Sequence, residues 1–258
     1  MTFLLEHEPI IRFSAFLAIF LAMALFEILA PRRAVATFDG KPVKGRRWLS
    51  HGGLVIIDSV VLRVIFPAAA VGTAYFAAAK GYGLFHLLDM PFALKAVIGF
   101  VVLDFAVWLE HWASHKIPLL WRIHRMHHAD IDFDLTTALR FHPLEILLSM
   151  VWKAAIVVAL GVPVATVLVF EIVLNGMAMF NHSNVKLPLS VDRIVRLVFV
   201  TPDMHRVHHS ILQPETDSNY GFNFSFWDRL FKTYTPQPSA GHDAMAIGLE
   251  HYRSDAPV

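Results

Sequence analysis

The chain has 258 residues, of which 56% are hydrophobic and only 17% charged, and its formal net charge is +1. That balance is the composition of a membrane protein, and a charge so small, carried in short basic patches, implies no nucleic-acid partner. With no cysteine in the sequence, disulfides, thiolate metal sites, cysteine-held iron–sulfur clusters and a cysteine nucleophile are excluded, so any metal must be held by nitrogen and oxygen ligands.

A helix needs about 20 apolar residues to cross the hydrocarbon layer. Residues 10–30 supply a first span ending at Pro31, and residues 53–79 a second that contains Asp58 and Arg63. The acidic segment Met1 to Glu8 lacks the basic start of a secretory signal, so the first apolar run reads as a retained anchor. Between these two spans lie Arg32, Arg33, Lys41, Lys44, Arg46 and Arg47 against one acid, Asp39, which by the positive-inside rule places the loop in the cytoplasm. Residues 91–109 form a third span that returns to that side. The apolar stretch 143–180 is too long for one crossing, and Gly161-Val162-Pro163 divides it into a helical hairpin. Residues 183–200 read as an amphipathic helix in the interface, and the chain beyond about residue 235 as an exposed loop. Glu27 and Asp58 read as structural or interfacial acids. The predicted fold is all-α: a multi-pass helical membrane protein with about four long transmembrane regions, the fourth a hairpin, and a cytoplasmic-side histidine-rich helical cap.

Histidine supplies the chemical signal. His111 and His115 stand in H-W-A-S-H, His124, His127 and His128 in H-R-M-H-H, and His205, His208 and His209 in H-R-V-H-H. Residues at i, i+3 and i+4 share a helix face, so each cluster can aim imidazoles at one ion or two. His142 in R-F-H-P and His182 in N-H-S-N fall at the two ends of the hairpin, on the same membrane face. So many ring nitrogens exceed the needs of a single ion, and two metals are favoured. Imidazole suits iron, zinc, copper and nickel alike, so spacing does not name the metal. A zinc hydrolase H-E-x-x-H, a G-x-S-x-G elbow and a glycine-rich phosphate fingerprint are all missing from the sequence. Asp104 lies two turns before His111 on the same face. It reads either as a carboxylate steadying a ligand's other ring nitrogen or as a buried partner for Arg63 or another polar helix group.

From about Asp104 to Thr235 the sequence resembles the fatty acid hydroxylase and sterol desaturase superfamily of integral membrane di-iron oxygenases. The resemblance runs through D-F-A-V-W-L-E-H-W-A-S-H, P-L-L-W-R-I-H-R-M-H-H, L-R-F-H-P-L-E, N-H-S-N, T-P-D-M-H-R-V-H-H-S and N-Y-G-F-N-F-S-F-W-D-R-L-F-K-T-Y. It implies His111, His115, His124, His127, His128, His182, His205, His208 and His209 as ligands of two iron ions, for which zinc can substitute. His142 and Asp104 stand beside them as candidate catalytic or supporting residues, and Asn219, Tyr220, Gly221, Trp227 and Asp228 as a closing segment near the site. The implied reaction is oxidation of an unactivated C–H bond of a lipid by O₂ with electrons from a separate donor protein, for which Arg32, Arg33, Arg46 and Arg47 offer a basic docking face. Desaturation or cleavage of an alkyl ether on the same metals are the alternatives within that class. A histidine-rich metal transporter would instead place its ligands at the bilayer midplane, and a structural protein would ignore chelation. The expected organisation is membrane anchors over 1–103, a catalytic domain over 104–235 and a tail over 236–258, in an integral protein of the cell membrane with its metal site on the cytoplasmic side.

Overall fold

The structure is a computed structural model that describes residues 2–35, 37–38, 41–42 and 44–252; Asp39 of the basic loop and residues 253–258 of the expected tail lie outside them, as do the side chains of 1–5 and 36–43. Five helical stretches are long and apolar enough to cross a membrane: Glu6–Leu29, Lys44–Leu87, Phe92–Lys116, Pro143–Leu160 and Val164–Asn181. The first lies in α1 (Thr2–Leu29), and the second is divided into α2 (Lys44–Ile65), α3 (Ala69–Lys80) and the short α4 (Leu84–Leu87). A two-residue strand pair, Thr37–Phe38 with Lys41–Pro42, joins α1 to α2.

The expected single span over 53–79 is therefore broken. Pro67 has no amide hydrogen and disfavours helical geometry at Phe66, and Ala69 restarts the chain at φ 47°. The third span is α5 (Phe92–Lys116), which runs into α6 (Pro118–His128) through the extended residue Ile117. Pro118, at the start of α6, can open a helix but not continue one, which fixes the bend. The hairpin is α7 (Pro143–Leu160) and α8 (Val164–Asn181). Gly161 closes α7 at φ 68°, and a Cβ there would sit 2.7 Å from both His86 Cδ2 and the Tyr82 carbonyl oxygen, so the turn admits only glycine.

Outward faces are as apolar as the interior. Ile10, Phe13, Leu17, Leu21 and Leu25 form an exposed stripe along α1, while Phe16, Ile19, Phe20 and Met23 pack on its other side. Among lipid tails such a stripe gains nothing from burial, so close packing holds the bundle together. Ala70, Val71 and Ala74 of α3 supply the small side chains that seat it against Met150 and Val157 of α7 and Val167 and Phe170 of α8. Three charges inside the bundle pair with one another: Lys153 reaches Glu171 at 2.7 Å and Arg12 reaches the same carboxyl at 3.3 Å.

The remaining chain folds as a cap over one end of the bundle. It comprises α6, a short 3-10 turn Leu135–Leu139, α9 (Leu189–Val195), α10 (Pro202–His208), α11 (Gln213–Thr216) and α12 (Phe226–Leu230). The amphipathic helix expected over 183–200 is the seven-residue α9, where Leu189, Val191 and Ile194 are exposed and Asp192 pairs with Arg196 at 2.5 Å. Glu27 accepts from the amides of Leu135 and Asn184, each at 2.7 Å, and so ties α1 to the cap. Among the described residues after 235, Pro236, Gln237 and 239–241 are exposed as their composition predicts, but the segment is also pinned to the cap. Arg196 donates to the Pro236 carbonyl at 2.8 Å, and buried Met245 and Ile247 pack on Phe133. Polar composition concealed an apolar anchor that becomes visible only against the cap.

Candidate metal centre

All nine histidines in the clusters and at His182 converge, in two adjoining groups. His111, His115, His124, His128 and His208 form one, and His127, His182, His205 and His209 the other; within each group one ligand atom per residue lies within 4.8 Å of all the rest. α5 contributes His111 and His115, α6 its three, the C-cap of α8 His182, and α10 with its C-cap residue the last three. Thr201 accepts from the Met204 amide and Pro202 opens α10, which fixes where that short helix starts. The groups share a wall: His128 of the first stacks on His209 of the second with centroids 4.5 Å apart.

The ring hydrogen bonds decide what the groups can bind. Nδ1 of His111 faces the Tyr220 carbonyl at 2.8 Å, that of His127 the Arg140 carbonyl at 3.1 Å, that of His182 the Ala178 carbonyl at 2.8 Å and that of His208 the Ser218 carbonyl at 2.6 Å. A carbonyl only accepts, so each of these rings carries its proton on Nδ1 and leaves Nε2 as a bare lone pair. His124 Nδ1 donates to the Glu145 carboxyl at 2.5 Å. The Nε2 atoms of His127 and His182 then face each other at 3.1 Å, with the His205 Nε2 at 3.0 Å from that of His182. Lone pairs of the first two at that separation repel unless a cation lies between them. In the other group, Nε2 of His111, His115, His124, His128 and His208 is buried in every case without a protein partner. Buried unpaired acceptors of this number are costly, and a cation bound by neutral imidazoles satisfies them. The residues present therefore fit metal ions.

Burial drives the rings toward the neutral form that binds metal. It holds His127, His128, His205, His208 and His209 well below the usual histidine range, with neighbouring rings adding to the effect, and it lowers His182 to about 4.

His142 and Asp104 stand elsewhere. His142 belongs to neither group; it is the N-cap of α7, its Nδ1 accepting from the Leu144 amide at 3.1 Å. Asp104 accepts from the Trp227 indole at 2.8 Å, while Nδ1 of His111, the histidine on its helix face, is held by the Tyr220 carbonyl. Two turns along a helix span about 10 Å, too far for a carboxyl to reach a same-face histidine. The Trp227 contact fits the second of the two readings, a buried polar partner, with Trp227 in place of Arg63. Glu145, quoted within a motif but not singled out, makes the carboxyl–histidine contact instead; an acid in the first turn of α7 beside His142 was the available signal.

The closing segment acts by packing. Asn219, at φ 54°, donates from its amide to the carbonyls of Met204 and Thr235 at 2.9 and 2.8 Å. Asp228 accepts from the amides of Tyr220 and Gly221, each at 2.9 Å, from the Trp108 indole at 3.1 Å and from the Thr233 hydroxyl at 2.7 Å. These bonds set the Ser218 and Tyr220 carbonyls against His208 and His111. Arg47 does similar work from inside: 3% exposed, it donates to Asp130 at 2.6 and 2.7 Å and to Asp134 at 2.7 Å, bracing the loop that presents the Arg140 carbonyl. The basic docking face is accordingly reduced. Arg47 is buried, and Arg32 is engaged by Asp203 at 3.3 Å and Asp243 at 2.5 Å.

A groove of about 450 Å³ opens between α5, α6 and α7, walled by Leu109, Ala113, Leu120, Leu148, Val151 and Trp152. It shares Glu110, Ser114 and Glu145 with an inner cavity of about 150 Å³ that His111 and His124 border. The two spaces thus adjoin between the outer face of the helices and the first histidine group.

Apolar helices carrying two buried histidine groups at one end define an integral membrane protein built to hold metal. Residues 96–233, more than half of the chain, match the family model "Fatty acid hydroxylase", and the chain belongs to that family. It is 30% identical to ornithine lipid hydroxylase OlsE of Rhizobium tropici, over 84% of this chain and 66% of the relative. Identity to alkylglycerol monooxygenase of Homo sapiens is 30%, over 69% of this chain and 38% of the relative. For cholesterol 25-hydroxylase of Rattus norvegicus it is 27%, over 55% of this chain and 47% of the relative. The chain thus spans 66% or less of the length of each of these curated relatives. No solved structure matches it.

Proposed function

We propose that the protein is a membrane-bound di-iron oxygenase that hydroxylates a C–H bond of a lipid, using O₂ and electrons from a separate donor protein. The observation that carries this reading is the set of nine buried histidines in two adjoining groups, with carbonyl-anchored rings turning bare nitrogens inward beside a lipid-facing groove. The proposed ligands are His111, His115, His124, His128 and His208 for one ion and His127, His182, His205 and His209 for the other. When bound, two ferrous ions would supply the reduction of O₂ and the oxidising power for an unactivated C–H bond.

The residues of the chain do the rest. Carbonyls of Tyr220, Arg140, Ala178 and Ser218 and the Glu145 carboxyl fix each ring's tautomer and direction. Leu109, Leu148 and Trp152 guide an apolar chain inward and keep water from the reacting carbon. His142 supports the site indirectly by starting α7, which carries Glu145. The anchor, catalytic and tail units proposed over 1–103, 104–235 and 236–258 follow the motifs, with the tail closing the cap. The excess of basic residues in the loop after α1 supports a cytoplasmic metal side in the cell membrane, where a soluble donor reaches the cap while substrate enters sideways.

Cleavage of an alkyl ether by hydroxylation next to oxygen is the second reading, favoured by the likeness to alkylglycerol monooxygenase. Both are tested by comparing the lipids of cells with and without the protein under labelled O₂. Hydroxylation leaves one labelled oxygen in an intact lipid, and ether cleavage yields an aldehyde and a shortened lipid. Appearance of a double bond without label would replace both with desaturation, and an unchanged lipid profile would contradict the oxygenase reading.

A further inference from the structure

A second cavity, of about 630 Å³, lies between α1, α2, α3 and the middle of α8, at the break in the second span. Helices broken within a bilayer are tolerated where the freed backbone lines a cavity, and ionisable groups at that depth mark binding sites. Here Phe66, Pro67 and Ala68 of the break all line the space. Its depth follows from Glu171, which Arg12 contacts at 3.3 Å. Glu171 precedes His182 by eleven residues and Asn175, the α8 residue that lines the cavity, by seven, about 16 Å and about 10 Å along a helix, so the cavity lies inside the bundle from the histidine end.

The charges lining it do not balance. Arg12 is neutralised by Glu8 at 2.9 Å and by Glu171, which Lys153 also engages at 2.7 Å. Arg63 lines the same cavity, is exposed to it and forms no ion pair among the described residues. Asp58, the nearest acid along α2, is buried and forms no ion pair with Arg63 among the described residues. Ser59, one turn before Arg63, also lines the space, and Phe13, Phe16 and Leu62 give it apolar walls. A cation left over among apolar walls, with a hydroxyl beside it, is the recognition chemistry of an oxyanion carried on a hydrocarbon chain.

We infer that this cavity binds an anionic lipid, with Arg63 holding a carboxylate or phosphate oxygen and Ser59 donating to it. The chain of that lipid lies against Phe13, Phe16 and Leu62. Asn175 borders both this cavity and the smaller one beside His111 and His124, so the two spaces are neighbours across one side chain. The assignment stands independently of what the histidines bind.

The test uses the purified full-length protein in phosphatidylcholine nanodiscs, offered oleate, phosphatidic acid or uncharged diacylglycerol, with retained lipid counted by native mass spectrometry. The protein should retain one anionic lipid about tenfold more tightly than the Arg63→Gln variant, with Arg63→Lys keeping most of the retention. Preference for oleate assigns a carboxylate, and preference for phosphatidic acid a phosphate. Ser59→Leu, which fills the cavity and leaves every charge in place, should lower retention as well. Metal content should be the same in all variants, which separates this site from the histidine groups. Equal retention by the parent and Arg63→Gln, equal retention of diacylglycerol, or no effect of Ser59→Leu would overturn the assignment.

Discussion

Glu145→Ala isolates one histidine group from the other. In the parent the Glu145 carboxyl accepts from His124 Nδ1 at 2.5 Å, and His124 belongs to the five-histidine group. The four-histidine group is oriented independently, through the carbonyls of Arg140 and Ala178 on His127 and His182. Losing such a partner of a ligand histidine weakens metal binding by about 10–100-fold, or about 1.4–2.7 kcal/mol. That loss should fall on one ion only. Metal-free protein titrated with cobalt(II) against a competing chelator should show two near-equal binding steps in the parent. In the variant one step should stay in place and the other move to higher free metal by the stated factor. Equal weakening of both steps, or of neither, would refute the reasoning that the rings divide into two groups with separate anchors.

Three further outcomes follow from the same geometry. His124→Ala and His205→Ala should each abolish lipid oxidation while each keeps one of two bound ions, as metal analysis beside a membrane-fractionation control would show; loss of both ions in either variant would indicate one shared site. Asp104→Asn should leave metal content unchanged, because its amide oxygen can still accept from Trp227, and should cost about 1 kcal/mol of stability; weakened metal binding would return Asp104 to the histidines. Burial lowers the pKa of His242 to about 4, outweighing nearby Asp203. The folded protein thus keeps it neutral while the unfolded chain protonates first. Its contribution is fully present above about pH 6.5 and lost as pH falls toward 4, by up to about 3 kcal/mol. Thermal unfolding of His242→Gln across that window should depend less on pH than the parent's, and parallel profiles would contradict the sign.

Hydropathy and spacing carried much of the architecture because their causes are local. Apolar runs long enough to span, the glycine at 161 that turns the hairpin, and histidines at one-turn intervals each depend on a few neighbouring residues. The break at Pro67 was equally legible in the sequence, yet a long apolar run hid it, since hydropathy averages over a window while proline acts at one bond. The reading of Asp104 as a support for a ligand rests on the helix face alone, and the distance along the axis weighs against it.

Within every cluster the histidines four residues apart share a group, His111 with His115, His124 with His128 and His205 with His209, and the i+3 members His127 and His208 turn to the other group. That division is written in the sequence, because residues at i and i+4 differ by only about 40° around a helix while i+3 and i+4 diverge by about 100°. What joins His208 to the α5 pair and His127 to His182 is not local. It depends on where α6 and α10 lie against the end of the bundle, on Arg47 bracing one loop and Asp228 another, and on carbonyls from residues distant in sequence that meet the rings only once the chain has closed around them.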